Sequence, residues 1–289
     1  MVASTPALPV IADVAVIGGS GLYALLENAT GYDVETPYGR PSDPIVVGDV
    51  GGRNVAFLPR HGSDHRYPPH LVPYRANLWA LRALGVRQVI APCAVGSLVP
   101  GFGPGTLVVP DQLVDRTSGR AHTIHEGPAA VHVEFADPYC PVGRSAVLAA
   151  AGRAGWEAVD GATMVVIEGP RFSTRAESRW FAAQGWTLVN MTGHPEAVLA
   201  RELAMAYTCV ALVTDLDAGA VEGEGVTQDE VFRVFAASTD RLRASLLDIA
   251  AGLPSTADCE SPALHALDGL GHDLDTRLAG TVIRPIANA

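Results

Sequence analysis

The chain has 289 residues, 48% of them hydrophobic, and a formal charge of −11; that is enough apolar material for a large core and too much for a disordered chain. All 20 of its basic residues are Arg, with no Lys anywhere, so neither a Schiff-base lysine nor a P-loop lysine can operate, and any bound phosphate must be held by Arg, His, hydroxyls or backbone N–H groups. The acidic balance argues against nucleic-acid binding, no apolar run reaches the ~20 residues of a membrane span, and the first nine residues lack the basic segment that opens a signal peptide.

Short apolar, β-branched runs predict buried strands at 14–17, 44–50, 54–59, 86–92, 106–109, 163–167, 187–189 and 208–213. Between them, helical spacing of apolar residues predicts helices over 71–84, 141–154, 173–183, 196–206 and 227–251. Leu71, Tyr74, Leu78 and Leu81 share a face of the first helix, and Val231, Val234, Phe235, Leu242 and Leu246 share one of the last. Strand and helix alternate without a break in composition. The expected fold is therefore a single α/β domain over residues 1–254, with a central mixed β-sheet flanked by helices. Residues 255–289 lose the pattern and are set apart as a C-terminal tail without assigned structure. Cys93, Cys140, Cys209 and Cys259 are far apart and form no CxxC, which fits reduced thiols in a cytoplasmic protein and provides no zinc pattern.

Five strings fall at the C-terminal ends of predicted strands, where α/β sheets bind ligands. Gly18-Gly19-Ser20-Gly21 is neither GxGxxG nor a Walker loop; it suits backbone N–H groups facing an anion, and equally a plain tight turn. In Arg60-His61-Gly62-Ser63-Asp64-His65, Arg60 offers a planar fork for two phosphate oxygens, His61 can add a donor, and His65 can serve the site or a neighbouring loop. Glu168-Gly169-Pro170-Arg171-Phe172 places an aromatic ring to stack on a flat heterocycle or to cap the core. Asn190-Met191-Thr192-Gly193-His194-Pro195-Glu196 combines a soft thioether, a hydroxyl and a proline suited to a first helical turn. In Thr214-Asp215-Leu216-Asp217, alternation puts both carboxylates on one side, as a metal site or as a general acid with a partner. Solvated turn acids have the same spacing.

Together with Thr36-Pro37-Tyr38-Gly39-Arg40-Pro41-Ser42-Asp43 and Gly96-Ser97-Leu98, these strings resemble the trimeric purine nucleoside phosphorylases, and within them the 5'-methylthioadenosine phosphorylase branch; the likeness runs from about Ala12 to Gly252. The resemblance implies that phosphate attacks the anomeric carbon of a purine nucleoside, releasing free base and pentose 1-phosphate, with no metal or organic cofactor. It puts phosphate on Ser20, Arg60, His61, Thr192 and the Cys93-Ala94 pair, where Cys93 replaces a hydroxyl with a weaker donor. Met191 would lie under the sugar, and Phe172 would face the base alongside Asp215 and Asp217. His65, Gln228 and Val231 would complete the nucleoside pocket, and His132 would reach into the neighbouring subunit's site, making a homotrimer the active species.

The chemistry of these residues is consistent with that reaction. Cleavage leaves charge on the purine, so N7 needs a proton; a partly desolvated Asp215, its proton retained to higher pH, is the expected general acid. A 6-amino group donates and wants a carboxylate, whereas a 6-oxo group wants an amide donor. Residues 214–219 contain no Asn, so adenine-type nucleosides are expected, although a protonated Asp can also meet an oxo group. At the 5' end, Val231 and Met191 suit a methylthio or halogen group, while Gln228 and His194 tolerate a hydroxyl. Adenosine and general purine nucleosides, and less so methylthioinosine, remain as alternatives. A hydrolytic nucleosidase on a related fold, or a non-catalytic nucleotide sensor on the same fold, would need no phosphate cluster beside an acid.

Overall fold

The computed structural model describes residues 10–18, 26, 29–127, 130–218 and 226–286. In chain order its elements are β1 (Val14–Gly18), β2 (Thr30–Glu35), β3 (Ile45–Val50), β4 (Arg53–Pro59), α1 (Tyr74–Ala83), β5 (Gln88–Ser97), β6 (Leu107–Val109), β7 (Gln112–Arg116), α2 (Pro141–Arg153), β8 (Ala158–Asp160), β9 (Thr163–Ile167), α3 (Arg175–Ala183), β10 (Leu188–Asn190), α4 (Gly193–Glu202), β11 (Ala206–Leu216), α5 (Gln228–Gly252), α6 (Leu274–Leu278) and β12 (Val282–Ile286).

The strands belong to one mixed sheet with apolar layers on both faces. Ala15, Ile17, Ala56 and Leu58 pack with Leu78, Leu81 and Leu199 of α1 and α4. The alternate residues Val14, Val16, Val55 and Phe57 pack with Val147 of α2 and Phe235, Leu242 and Leu246 of α5. Burial on both faces is why these strands read as continuous apolar runs rather than alternating ones.

Strand β5 organises the site. Its first residues pair in parallel with β1, the last pair being Val16↔Ile90. Its far end pairs antiparallel with β10, through Val189↔Gly96 and Leu188↔Ser97. Strand β11 follows its other edge throughout. The sheet thus divides beyond Ile90, and the ends of β1, β4, β10 and β11 surround the opening. Divergence of strands at their carboxyl ends is where open α/β sheets make ligand crevices.

Several expectations change with the tertiary structure. The strand foreseen at 86–92 continues through Pro92 to Ser97, and the one at 208–213 continues to Leu216, each supporting the other by register. Strands β2, β7, β8 and β12 went unforeseen because they are short, part-exposed or polar at alternate positions. Leu71 is 61% exposed: it lies in a 3-10 turn that Pro73 separates from α1. Helix α4 ends at Glu202, four residues before the predicted end, and His194 has non-helical backbone, so regular helix begins at Pro195. The segment set apart as a tail folds back through Ile286. Strand β12 adds antiparallel to β2, Leu274 and Leu278 enter the core, and Trp79 Nε1 donates to Thr281 Oγ1 at 2.9 Å. Its pieces are too short to show a period; α6 and β12 are buried by α1 and β2, whereas Cys259, Ala263 and Leu264 pack with Cys140 and Ala206 at the starts of α2 and β11.

Candidate active site

A cavity of about 400 Å³ occupies the opening in the sheet. Of the residues singled out from sequence, Arg60, His61, His65, Cys93, Ala94, Phe172, Met191, Thr192, Asp215, Asp217, Gln228 and Val231 all line it. They come from stretches as distant as the end of β4 and the start of α5. Ser20 lies outside the described residues. His132 is exposed and is not part of this chain's own cavity lining.

At one end, β4 delivers Arg60, whose N–H extends the pairing with β1 by donating to Gly18 O at 2.8 Å. The guanidinium is 2% exposed and Glu196 beneath it 0%. Its Nε and Nη2 donate to Glu196 Oε1 and Oε2 at 2.8 and 2.9 Å. A second Nη2 hydrogen goes to Ile17 O at 3.1 Å and an Nη1 hydrogen to Pro92 O at 3.1 Å. This corrects the expectation of a free fork, because the bidentate edge is spent on Glu196, and among the described residues one Nη1 hydrogen has no partner. Burial opposes the charge on Arg60, and the Glu196 carboxylate more than offsets it, so the guanidinium stays protonated.

His61 differs from its expected role too. Its Nδ1 lies 2.8 Å from Tyr67 O. A carbonyl only accepts, so Nδ1 carries the proton; this assigns the tautomer by its partner. Burial, with the Arg60 charge adding to it, lowers the ring to about 4. The ring is therefore neutral at pH 7, and Nε2 is an acceptor rather than a donor. A folded-state value below the unfolded one means that the unfolded chain binds the extra proton. Stability is thus lost as pH falls from about 6.5 toward 4, by up to roughly 3 kcal/mol for this group. His61→Gln is expected to lose less stability than wild type between pH 7 and 4.5, measured by urea midpoints. Equal losses in both would remove His61 as an acid-sensitive group.

Asn190, to which the sequence alone assigns no role, braces this end. Its Oδ1 accepts from Thr192 N at 2.7 Å and Gly193 N at 2.6 Å, and its Nδ2 donates to Ala94 O at 3.2 Å. The start of α4, with Thr192 as its N-cap, is thereby tied to β5. Cys93 Sγ is 3.6 Å from Cys209 Sγ on β11.

At the other end, a bulge in β11 between Val213 and Asp215 sets Asp215 opposite Gly96. Asp215 Oδ2 accepts from Thr214 Oγ1 at 2.8 Å. A Cβ on Gly96 would stand 2.9 Å from Asp215 Oδ1 and 3.5 Å from Asp217 Oδ1, so glycine there makes room for both acids. Burial pushes the Asp217 carboxyl above its ordinary range, with the Ser178 and Ser173 hydroxyls acting the other way.

Between the ends, Met191 packs over Gly169, whose φ of +65° and 2.6 Å approach from a built Cβ to Met191 Sδ require glycine. Phe172 forms part of the wall, and Val231, Phe232 and Phe235 of α5 contribute an apolar side.

The sequence profile of the phosphorylase superfamily matches residues 13–250. The chain belongs to this superfamily. It is 66% identical over 221 residues to the S-methyl-5'-thioadenosine phosphorylase of Mycolicibacterium smegmatis, covering 76% of this chain and 83% of the relative. It is 59% identical over 267 residues to the purine nucleoside phosphorylase of Streptomyces coelicolor, covering 90% and 95%. The crystal structure of a methylthioadenosine phosphorylase from an antarctic soil metagenomic library superposes with a TM-score of 0.82 at 41% identity, covering 90% of this chain and 92% of that one. Within this phosphorylase domain, the motifs assign no site role to Glu196, Asn190, Gly96, Phe232 or Phe235. Glu196, Asn190 and Gly96 lie inside the motif strings and Phe235 on the apolar face of the last helix, but only the fold shows that Glu196 and Asn190 turn toward Arg60 and Ala94 and that Gly96 faces the acids.

Proposed function

We propose that this protein cleaves 5'-methylthioadenosine, or a related 5'-substituted 5'-deoxyadenosine, with inorganic phosphate to release adenine and the 5-substituted pentose 1-phosphate. The observation that carries this reading is one cavity with a buried Arg–Glu pair at one end and two buried acids at the other. The relatives' names support the same substrate class. Phosphate would meet the remaining Arg60 N–H, the Thr192 hydroxyl and the Ala94–Cys93 backbone, and a protonated phosphate oxygen would donate to His61 Nε2. Holding the anion against the face of the sugar favours the cationic transition state and places the attacking oxygen. The acid pair supplies the proton: Asp215 is set against N7, and the 6-amino group donates to the remaining carboxylate oxygen. Met191 supports the sugar. The apolar side formed by Val231, Phe232 and Phe235 receives the 5' substituent. No cofactor takes part in this scheme.

A second reading, adenosine or general purine nucleoside phosphorolysis, is favoured by Gln228 at the cavity and by the Streptomyces relative's name. The test is release of free base from methylthioadenosine, adenosine, inosine and methylthioinosine, each with and without phosphate. Phosphate-dependent release of adenine, fastest from methylthioadenosine, is expected; release without phosphate would instead mark a hydrolase. The active species is proposed to be a cytoplasmic homotrimer in which exposed His132 closes a neighbour's pocket. No described helix is long and apolar enough to cross a membrane. A fully active monomer in sedimentation would overturn the trimer.

A further inference from the structure

Arg120 follows β7 and belongs to no motif, yet its side chain is only 3% exposed. All five of its N–H groups are committed. Nη1 donates to Met191 O at 2.9 Å and His194 O at 2.6 Å. Nη2 donates to Glu168 O at 2.7 Å and Ile167 O at 3.4 Å. Nε donates to Glu168 Oε2 at 3.2 Å, the same carboxylate oxygen that accepts from Ser118 N at 2.8 Å. The ring of Tyr74 lies 5.7 Å from the guanidinium. Four main-chain carbonyls thus converge on one cation.

Those carbonyls sit on two segments leaving the sheet side by side: the end of β9, which leads to Phe172, and the turn from β10 into α4, which carries Met191. The segments touch where Met191 packs on Gly169. Neither has a hydrogen-bonded ladder beyond Ile167 and Asn190 to keep them in register. We infer that Arg120 is the positioning residue of the nucleoside half of the cavity, fixing the main chain of Met191 and of the approach to Phe172, and with it the floor for sugar and base. The inference rests on the function proposed above. The phosphate half has separate braces, Asn190 to Ala94, Thr192 and Gly193, and Glu196 to Arg60. Thr192 lies between the Met191 and His194 carbonyls that Arg120 holds, but these other braces remain in an Arg120 variant, so the phosphate half is expected to be affected less. Lysine cannot substitute, since an ammonium has three donors and no planar fork.

The test compares Arg120→Lys and Arg120→Gln with wild type, varying methylthioadenosine and phosphate independently, with calorimetric binding of methylthioadenosine in the absence of phosphate. A misplacement of about 1 Å costs up to ~10²-fold, so a rise of roughly 10- to 100-fold in nucleoside KM and Kd is expected, with phosphate KM within about twofold. Glu168→Gln keeps the arginine and loosens one partner; the same split at smaller amplitude is expected, and this variant decides the matter if the Arg120 variants fail to fold. Arg53→Lys is the control: Arg53 also gathers carbonyls, those of Ala250, Leu253 and Pro254, and does not line the cavity. It is expected to lower Tm and leave both KM values unchanged. Parallel rises in both KM values, or no change in folded Arg120 variants, would overturn the inference. If wild-type protein releases no adenine with phosphate, the proposed function fails, and the calorimetric comparison still decides the role of Arg120.

Discussion

Asp215→Asn is expected to lower kcat/KM for methylthioadenosine by roughly 10²–10⁴, the usual worth of a general acid, and to raise the rate on methylthioinosine relative to it. The asparagine keeps the shape facing Gly96 and can still accept from Thr214 Oγ1 through its carbonyl. Its amide can hydrogen-bond N7 but cannot transfer a proton. It also presents N–H where the 6-amino group needs an acceptor and a 6-oxo group needs a donor, a mismatch of about 1–3 kcal/mol. The ratio of kcat/KM for the two nucleosides, in wild type, Asp215→Asn and Asp217→Asn, is the measurement. A shift toward the oxo substrate only in Asp217→Asn would move the base-reading role to Asp217, the acid that burial already biases toward its protonated form.

Glu196→Gln is expected to destabilise the fold by about 3–5 kcal/mol, because it strips the counter-charge from a fully buried guanidinium. In a chain of this size such a loss corresponds to a fall in Tm on the order of 10 °C. The substituted amide would also set an N–H against one of its present partners, the Arg60 N–H groups or the Tyr207 hydroxyl, which donates to Glu196 Oε2 at 2.8 Å. Arg60 would be free to turn from its tethers on Ile17 and Pro92, so phosphate KM should rise more than nucleoside KM. Thermal denaturation together with separate titration of the two substrates tests both parts. Wild-type Tm in the variant would show that Arg60 does not depend on Glu196 for its charge.

Much of this protein is determined locally and is legible in its sequence. Strands β1, β4, β9 and β11 announce themselves because burial on both faces leaves unbroken apolar runs, and the polar strings at their ends stand out against those runs. Arg60, His61, Thr192, Asp215 and Asp217 are therefore legible as candidates in the sequence itself. Their partnerships are not. Whether Arg60 offers two donors or one depends on Glu196, 136 residues away. The role of His61 depends on a carbonyl, and carbonyls carry no side-chain signature. Arg120 looks like any surface arginine until the ends of β9 and β10 are brought beside it. The segment after Pro254 behaves likewise, since elements of five residues or fewer have too little period to read and gain order from distant partners: β2, α1 and the starts of α2 and β11. Apolar burial is written residue by residue along a chain, whereas the use of a hydrogen bond or a charge is settled by whichever distant group folding places within about 3 Å.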